Sequence, residues 1–285
     1  MSQPARKIVV VGAGLTGSLL HHLLRKTAPE LTVQIWEKAE GPGGRYNTTS
    51  PSSITTHKPH VDLGAQYVTA FEPEAHGHYY QALVDGGVLL DIKPELIHGG
   101  RGSHMEQKHW SVPSGISSVP GFFLSGAAVE FQRELRSLNI VDGSSWILTD
   151  QNGKEERADA VVLTGHIPDV MGIEGNVQDA LLPYKSDLEK VSYSSRFAMG
   201  IHYPAEAWTA LESVPWVGKY FTPSDSDVIV WISINGLDHA GDAPRAAVQS
   251  GQEIKEGPTI LVHTTVPFGL KNGGAEHDEV QATIM

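Results

Sequence analysis

The sequence predicts an α/β protein, with a Rossmann-like dinucleotide-binding domain and a second, β-rich domain. Three observations predict it. A buried strand near the N-terminus runs directly into a glycine turn and an apolar helix. A second apolar run, Ala160-Val-Val-Leu-Thr164, suits a strand returning to the same parallel sheet. After residue 190 the patterning is mostly that of strands.

The opening motif carries most of the argument. Lys7 is followed by Ile-Val-Val-Val11, a continuous apolar and β-branched run that reads as a strand buried on both faces. Gly12-Ala-Gly14-Leu-Thr-Gly17 then turns the chain into a helix. Gly12 permits the tight turn, Gly14 lets a pyrophosphate approach the backbone, and Gly17 lets helix and strand pack closely. The helix N-terminus offers N–H groups and a positive dipole end to phosphate. Leu15, Leu19, Leu20, Leu23 and Leu24 supply the apolar stripe. The strand Thr32–Trp36 leads to Glu37, whose carboxylate can accept hydrogen bonds from ribose hydroxyls.

To this point NAD and FAD fit equally well. Gly43-Gly44-Arg45 shifts the balance toward FAD. The two glycines allow a further backbone approach, and a cation beyond them can neutralise phosphate or bond a flavin carbonyl.

Composition narrows the function classes. The 285 residues, 40% hydrophobic and 19% charged, suit one large or two intimate globular domains. A net charge of −12 without a basic patch argues against nucleic acid or an anionic membrane as partner. No apolar run approaches the ~18 residues of a membrane span. No signal-peptide pattern precedes the first strand, which predicts a cytoplasmic protein. With no cysteine, disulfides, thiolate metal sites, Cys nucleophiles and a cysteinyl flavin are excluded. The histidine groups His57/His60, His76/His78 and His98/His104/His109 lack helical i, i+4 spacing and predict no metal site. Asn47-Thr48-Thr49 is a formal glycosylation sequon, read as incidental beside the cofactor loop.

Along the chain, residues 46–60 read as a loop, and Val61–Val68 as one strand interrupted by Gly64. Residues 74–84 predict a helix, followed by strands over 88–92 and 109–112. Residues 113–121 read as a loop. Strands are expected over 129–132, 134–141, 146–150 and 158–163, weak helix over 175–191, and strands over 195–203, 216–220, 228–234 and 259–266. Residues 236–257 read as a mobile loop, and a helix begins near Glu276. The expected division assigns 1–76 and 109–190 to the nucleotide domain, and 77–108 and 191–285 to the substrate domain.

Seven segments together resemble the renalases, flavoproteins with the p-hydroxybenzoate-hydroxylase-like fold. They are Val11–Leu19, Gly43–Arg45, Asp62-Leu-Gly-Ala-Gln-Tyr67, Pro113–Ser118, Val191-Ser-Tyr-Ser-Ser-Arg196, Val214–Trp216 and His263-Thr-Thr-Val-Pro-Phe-Gly269, in family order over nearly the whole chain. The resemblance implies non-covalent FAD. It implies Thr16 at the pyrophosphate with Gly12, Gly14 and Gly17, Glu37 at the adenosine ribose, and Gly44 and Arg45 at the phosphate-flavin region. It also implies the Leu135 backbone at the adenine, with Gln66 and Tyr67 beside the flavin. The implied reaction returns 2- and 6-dihydro isomers of NAD(P)H to NAD(P)⁺ by hydride transfer to flavin N5, with O₂ reduced to hydrogen peroxide. No catalytic acid or base is required, so none is assigned.

Relatives in that family continue past the His263–Gly269 region with a Gly-Gly-Asp segment and a final helix. Without these, apolar surface is expected to be left unburied and flavin contacts to be missing, and a truncated, non-catalytic isoform with a binding or signalling role is the competing reading. The family's link to extracellular signalling makes leaderless secretion the alternative location. A flavin amine oxidase is a lesser alternative, since Gly-Gly-Arg and Asp-Leu-Gly are shared with that superfamily. Trp216, Tyr220 and Phe268 read as core of the β-rich domain ahead of a nicotinamide pocket. His263 reads as a satisfied buried histidine, and Arg196 as either a phosphate ligand or an ion-pair partner.

Overall fold

The computed structural model describes residues 6–49, 60–99, 107–211, 213–235 and 257–285. The chain starts with strand β1 (Lys7–Val11), helix α1 (Leu15–Thr27) and β2 (Thr32–Trp36). Short elements follow: β3 (Thr48–Thr49), β4 (Val61–Asp62), β5 (Val68–Thr69), α2 (Pro73–Asp85), β6 (Leu90–Ile92), β7 (Ile97–His98) and β8 (His109–Ser111). Next are α3 (Ser118–Phe123), β9 (Ala128–Glu130), β10 (Leu135–Val141), β11 (Ser145–Asp150), β12 (Glu155–Ala158) and β13 (Ala160–Leu163). Helices α4 (Ile167–Met171), α5 (Val177–Leu181) and α6 (Lys185–Leu188) precede β14 (Ala198–His202) and α7 (Trp208–Leu211). The chain closes with β15 (Gly218–Tyr220), β16 (Ile229–Asn235), β17 (Thr259–Thr264), α8 (Val266–Lys271) and α9 (His277–Ile284).

Two compact units result, Met1–Tyr46 with Val119–Tyr193, and Asn47–Ser118 with Ser194–Met285. In the first, a parallel sheet runs in the order β13-β1-β2-β9. Both faces of this sheet are covered, which is why β1 is apolar from Ile8 to Val11. Val10 and Ile35 face one side, against Leu20 of α1 and Leu124. Val9 and Trp36 face the other, against Leu138 and Leu148 of the antiparallel sheet β10-β11-β12 and Val177 of α5. Helix α1 does not bury its full leucine stripe. Gly17, Ser18 and His21 are its buried residues, and Leu23 is exposed. Small residues bring the helix axis close to the sheet, which turns the leucines to the flanks.

Beneath Trp36 the first unit holds a buried cation. Arg133 is 5% exposed, and its guanidinium carbon lies 3.6 Å from the centroid of the Trp36 ring. Its Nε donates to Asp150 Oδ2 at 3.1 Å and its Nη1 to Glu130 Oε2 at 2.7 Å. Asp150 Oδ1 also accepts the Asn152 and Lys154 backbone N–H groups. Burial pushes the Asp150 carboxyl upward. Those two backbone donors and Arg133 outweigh it, so the group lies below the usual carboxylate range. A folded value below the unfolded one means that Asp150 stabilises the fold above about pH 4, and that the stabilisation fades as pH falls toward the folded value. Urea midpoints measured between about pH 5 and pH 2 should show this acid limb. Asp150→Asn should flatten it, and an unchanged slope in that variant would refute the assignment.

In the second unit a five-stranded sheet runs in the order β14-β17-β16-β15-β7, antiparallel except for the β15–β7 pair. Its core joins Val61, Ile92, Ile97, Trp231 and Leu261. Two small antiparallel sheets, β3-β4 and β5-β8-β6, belong to the same unit.

These pairings correct the expected division. Residues 47–76 and 109–118 pair with one another and with strands of the 77–108 region, so they join the second unit rather than the nucleotide-binding one. The single strand expected over Val61–Val68 is two strands, β4 and β5, with different partners on either side of the Gly64 region. The expected loop 113–121 contains the start of α3, and Val266 begins a helix where a strand was expected to end. The mobile loop expected over 236–257 falls, up to residue 256, outside the described residues. Among the described residues no helix is long and apolar enough to cross a membrane.

Candidate cofactor site

The first unit carries a phosphate cradle at the β1–α1 turn. Gly12 has φ +111°, and a Cβ there would collide with Thr164 Oγ1. That hydroxyl is fixed by donating to Val11 O at 2.9 Å. A Cβ on Gly17 would collide with the Gly12 carbonyl. These two glycines are therefore demanded by the fold. Gly14 differs. Its backbone is extended, and a Cβ would make only an ordinary 3.6 Å contact with Gly43 O. The chain's own packing sets no requirement for glycine at 14, and the missing Cβ leaves its backbone open to an approaching ligand.

Gly14 is also the N-cap of α1 and supplies no side-chain cap. The amides of Leu15, exposed Thr16 and Gly17 are thus left for an anion. A second backbone closes on the turn: Gly43 N donates to Ala13 O at 3.1 Å, and Gly14 and Gly43 form a parallel bridge. Gly44 has φ +60°, and Arg45 is exposed beside it. These features fit a pyrophosphate of a dinucleotide.

Glu37 has a structural task that sequence reasoning missed. Its Oε2 accepts the Ala13 N–H at 2.7 Å and its Oε1 the Ala39 N–H at 2.8 Å, which ties the glycine turn to the end of β2. Each oxygen keeps a lone pair for a ribose hydroxyl. Leu135 is buried at the start of β10, opposite Asp150.

Gln66 and Tyr67 lie in the second unit, on a cavity of about 120 Å³. Apolar Ile92, Ile97, Val112 and Trp231 form much of its wall, with polar Asp62, Gln66, Ser233 and Asn235 among them. The Gln66 amide is fixed at both ends. Its Nε2 donates to the Gly64 and Asp62 carbonyls, and its Oε1 accepts from Ser233 Oγ at 2.7 Å. Tyr67 OH pairs with Tyr220 OH at 2.8 Å. Burial and that neighbouring phenol both raise the Tyr67 hydroxyl above its ordinary range, so it stays protonated. Gly218 is needed here because a Cβ would strike the Trp231 indole.

The other candidates take structural places. Tyr220 packs in the core with Trp231, Trp216 packs beside Trp208 and Ile234, and Phe268 meets Phe197 edge to face. His263 Nε2 lies 3.0 Å from Leu63 O, and burial pushes its imidazole below the ordinary range. Arg196 acts on His263 through its charge. Among the described residues no three His, Cys, Asp or Glu side chains gather as a metal site, and His57 and His104 lie outside them. Thr164, Ser233 and Asn235 were missed by sequence reasoning. Asp62 stood in the Asp62–Tyr67 segment without a site role of its own.

Residues 10–83 match the NAD(P)-binding Rossmann-like domain family. An Exiguobacterium structure superposes with a TM-score of 0.66 at 14% identity, covering 99% of this chain and 82% of the other. A putrescine oxidase redesigned in its cofactor binding superposes with a TM-score of 0.64 at 12% identity, covering 98% and 80%. Fold and cradle define a Rossmann-like dinucleotide-binding protein. Renalase from Mus musculus is 33% identical over 288 residues, 98% of this chain and 78% of the mouse protein. The chain belongs to the renalase family.

Proposed function

We propose that the protein oxidises 2- and 6-dihydro isomers of NAD(P)H to NAD(P)⁺, using non-covalently held FAD and O₂. The observation that carries this reading is the likeness to a renalase along 98% of the chain, through both units. Flavin, when bound, would supply a two-electron acceptor at N5, with O₂ as the final oxidant giving hydrogen peroxide.

The chain's own residues bind and orient. The amides of Leu15, Thr16 and Gly17 take the pyrophosphate, with Gly12, Gly14 and Gly44 keeping the approach open. Glu37 accepts the adenosine ribose, the Leu135 backbone meets the adenine, and Arg45 neutralises charge toward the flavin. Gln66, locked by Ser233, and Tyr67, kept neutral, would lie beside the flavin. Hydride transfer between two positioned rings needs no protein acid or base, so orientation is the main contribution.

The test is spectroscopic. Purified protein, alone or after adding FAD, should show a flavin absorption band. The 2- and 6-dihydro isomers should bleach it without air, and air should restore it with one peroxide per turnover. Failure to bind FAD under any condition would overturn the reading. Turnover of a simple amine, with no response to the isomers, would replace it with an amine oxidase.

A further inference from the structure

We propose that Asp62 is the counter-charge for the substrate ring: its carboxylate, on the cavity wall, stabilises the positive charge the substrate acquires as hydride leaves. The inference rests on the oxidase reading above and adds a catalytic residue to it. A dihydronicotinamide ring is neutral. When its C–H bond breaks, the hydrogen departs with both electrons to the flavin, and the ring becomes a pyridinium carrying one positive charge. No proton is exchanged with the protein. An anion fixed beside the ring is therefore worth more in the transition state than in the ground state.

Asp62 is built for that task. It is 5% exposed and lines the cavity. Its Oδ1 accepts the Thr48 hydroxyl at 2.6 Å and the Ile116 N–H at 2.9 Å. Thr48 is itself held, because its Oγ1 accepts the Ser117 N–H at 2.9 Å. The carboxylate plane is thus set before any ligand arrives, and Oδ2 has no hydrogen-bond partner among the described residues. Asp62 is the sole carboxylate on the described wall. The other titratable groups there are His60 and the protonated phenol of Tyr67. Apolar Ile92, Ile97 and Trp231 lower the local dielectric and lengthen the reach of the charge. The same burial pushes the Asp62 carboxyl above its ordinary range, opposed by the Thr48 and Ile116 donors and by His60, and a cationic ring beside it would favour the carboxylate further.

The test uses two inert rings of similar shape, the 1-methylnicotinamide cation and neutral nicotinamide, titrated calorimetrically into the flavin-loaded protein. The cation should bind at least about tenfold more tightly, the equivalent of roughly 1.4 kcal/mol. Asp62→Asn keeps an Oδ1 acceptor for Thr48 and Ile116 and removes only the charge, so it should abolish the preference while still binding nicotinamide. Equal affinities in the unaltered protein, or a preference surviving in the variant, would overturn the proposal. Should the variant not fold, the comparison in the unaltered protein decides alone. The two readings also fail separately. Loss of oxidase turnover with the cation preference intact counts against the oxidase reading, and turnover without the preference counts against Asp62.

Discussion

Replacing Arg133 by methionine is expected to destabilise the first unit by about 3–5 kcal/mol. The guanidinium is 5% exposed and is the cation for both Asp150 and Glu130. Methionine fills much of the volume over Trp36 but leaves the Asp150 carboxylate buried with only backbone donors. Breaking one side of a buried pair strands the other charge, which costs more than the pair is worth intact. Arg133→Met combined with Asp150→Asn should recover a large part of the loss, because the stranded charge is then gone. Urea unfolding of the single and double variants measures this. A loss below about 1 kcal/mol in the single variant would place Arg133 among ordinary surface ion pairs instead.

The second large effect lies in the glycine turn, where two similar substitutions should behave oppositely. Gly17→Ala places a Cβ against the Gly12 carbonyl and close to Thr164 Oγ1, and neither can retreat without moving β1 or its neighbour. Overpacking of this kind costs about 1–3 kcal/mol, and more where backbone is the obstacle. Both melting temperature and dinucleotide binding should fall. Gly14→Ala meets only ordinary contact, and its extended backbone suits alanine. It should be neutral or stabilising by up to about 1 kcal/mol, through the unfolded chain. Yet it should weaken FAD binding strongly by crowding the pyrophosphate. Melting curves with and without FAD separate the two cases. If Gly14→Ala left FAD binding unchanged, the cradle would not seat a phosphate there.

Much of the first unit was legible because its signals are local. The continuous run Ile8–Val11 fixed β1, and the three glycines fixed the turn that follows. The second unit was harder to read for a physical reason. Its small sheets are held by pairings such as Thr48 with Asp62 and Val68 with Trp110; strands were expected over 61–68, 88–92 and 109–112, but nothing in a short window names their partners. Helix α8 was hidden by the apolar strand before it. Its cue was nonetheless present: Thr265 is an N-cap whose hydroxyl accepts from Phe268 N, with Pro267 in the first turn. The cavity was legible only at Gln66 and Tyr67. Ser233 and Asn235 reach it from β16, a strand far along the chain, and their spacing carries no trace of that meeting.

The parallel sheet also sets the order in which the protein can be assembled during synthesis. Strand β1 finds its β13 neighbour 152 positions later, as in the pairing of Ile8 with Ala160. Thr164, whose hydroxyl holds the glycine turn, emerges later still. At roughly 5–20 residues per second, the ribosome takes on the order of ten seconds to deliver that partner. Until then β1 is an apolar strand with an open edge, and the phosphate cradle is unfinished. Dinucleotide capture on the ribosome should therefore begin only after residue 164 clears the exit tunnel, and the waiting strand is the natural client of a chaperone.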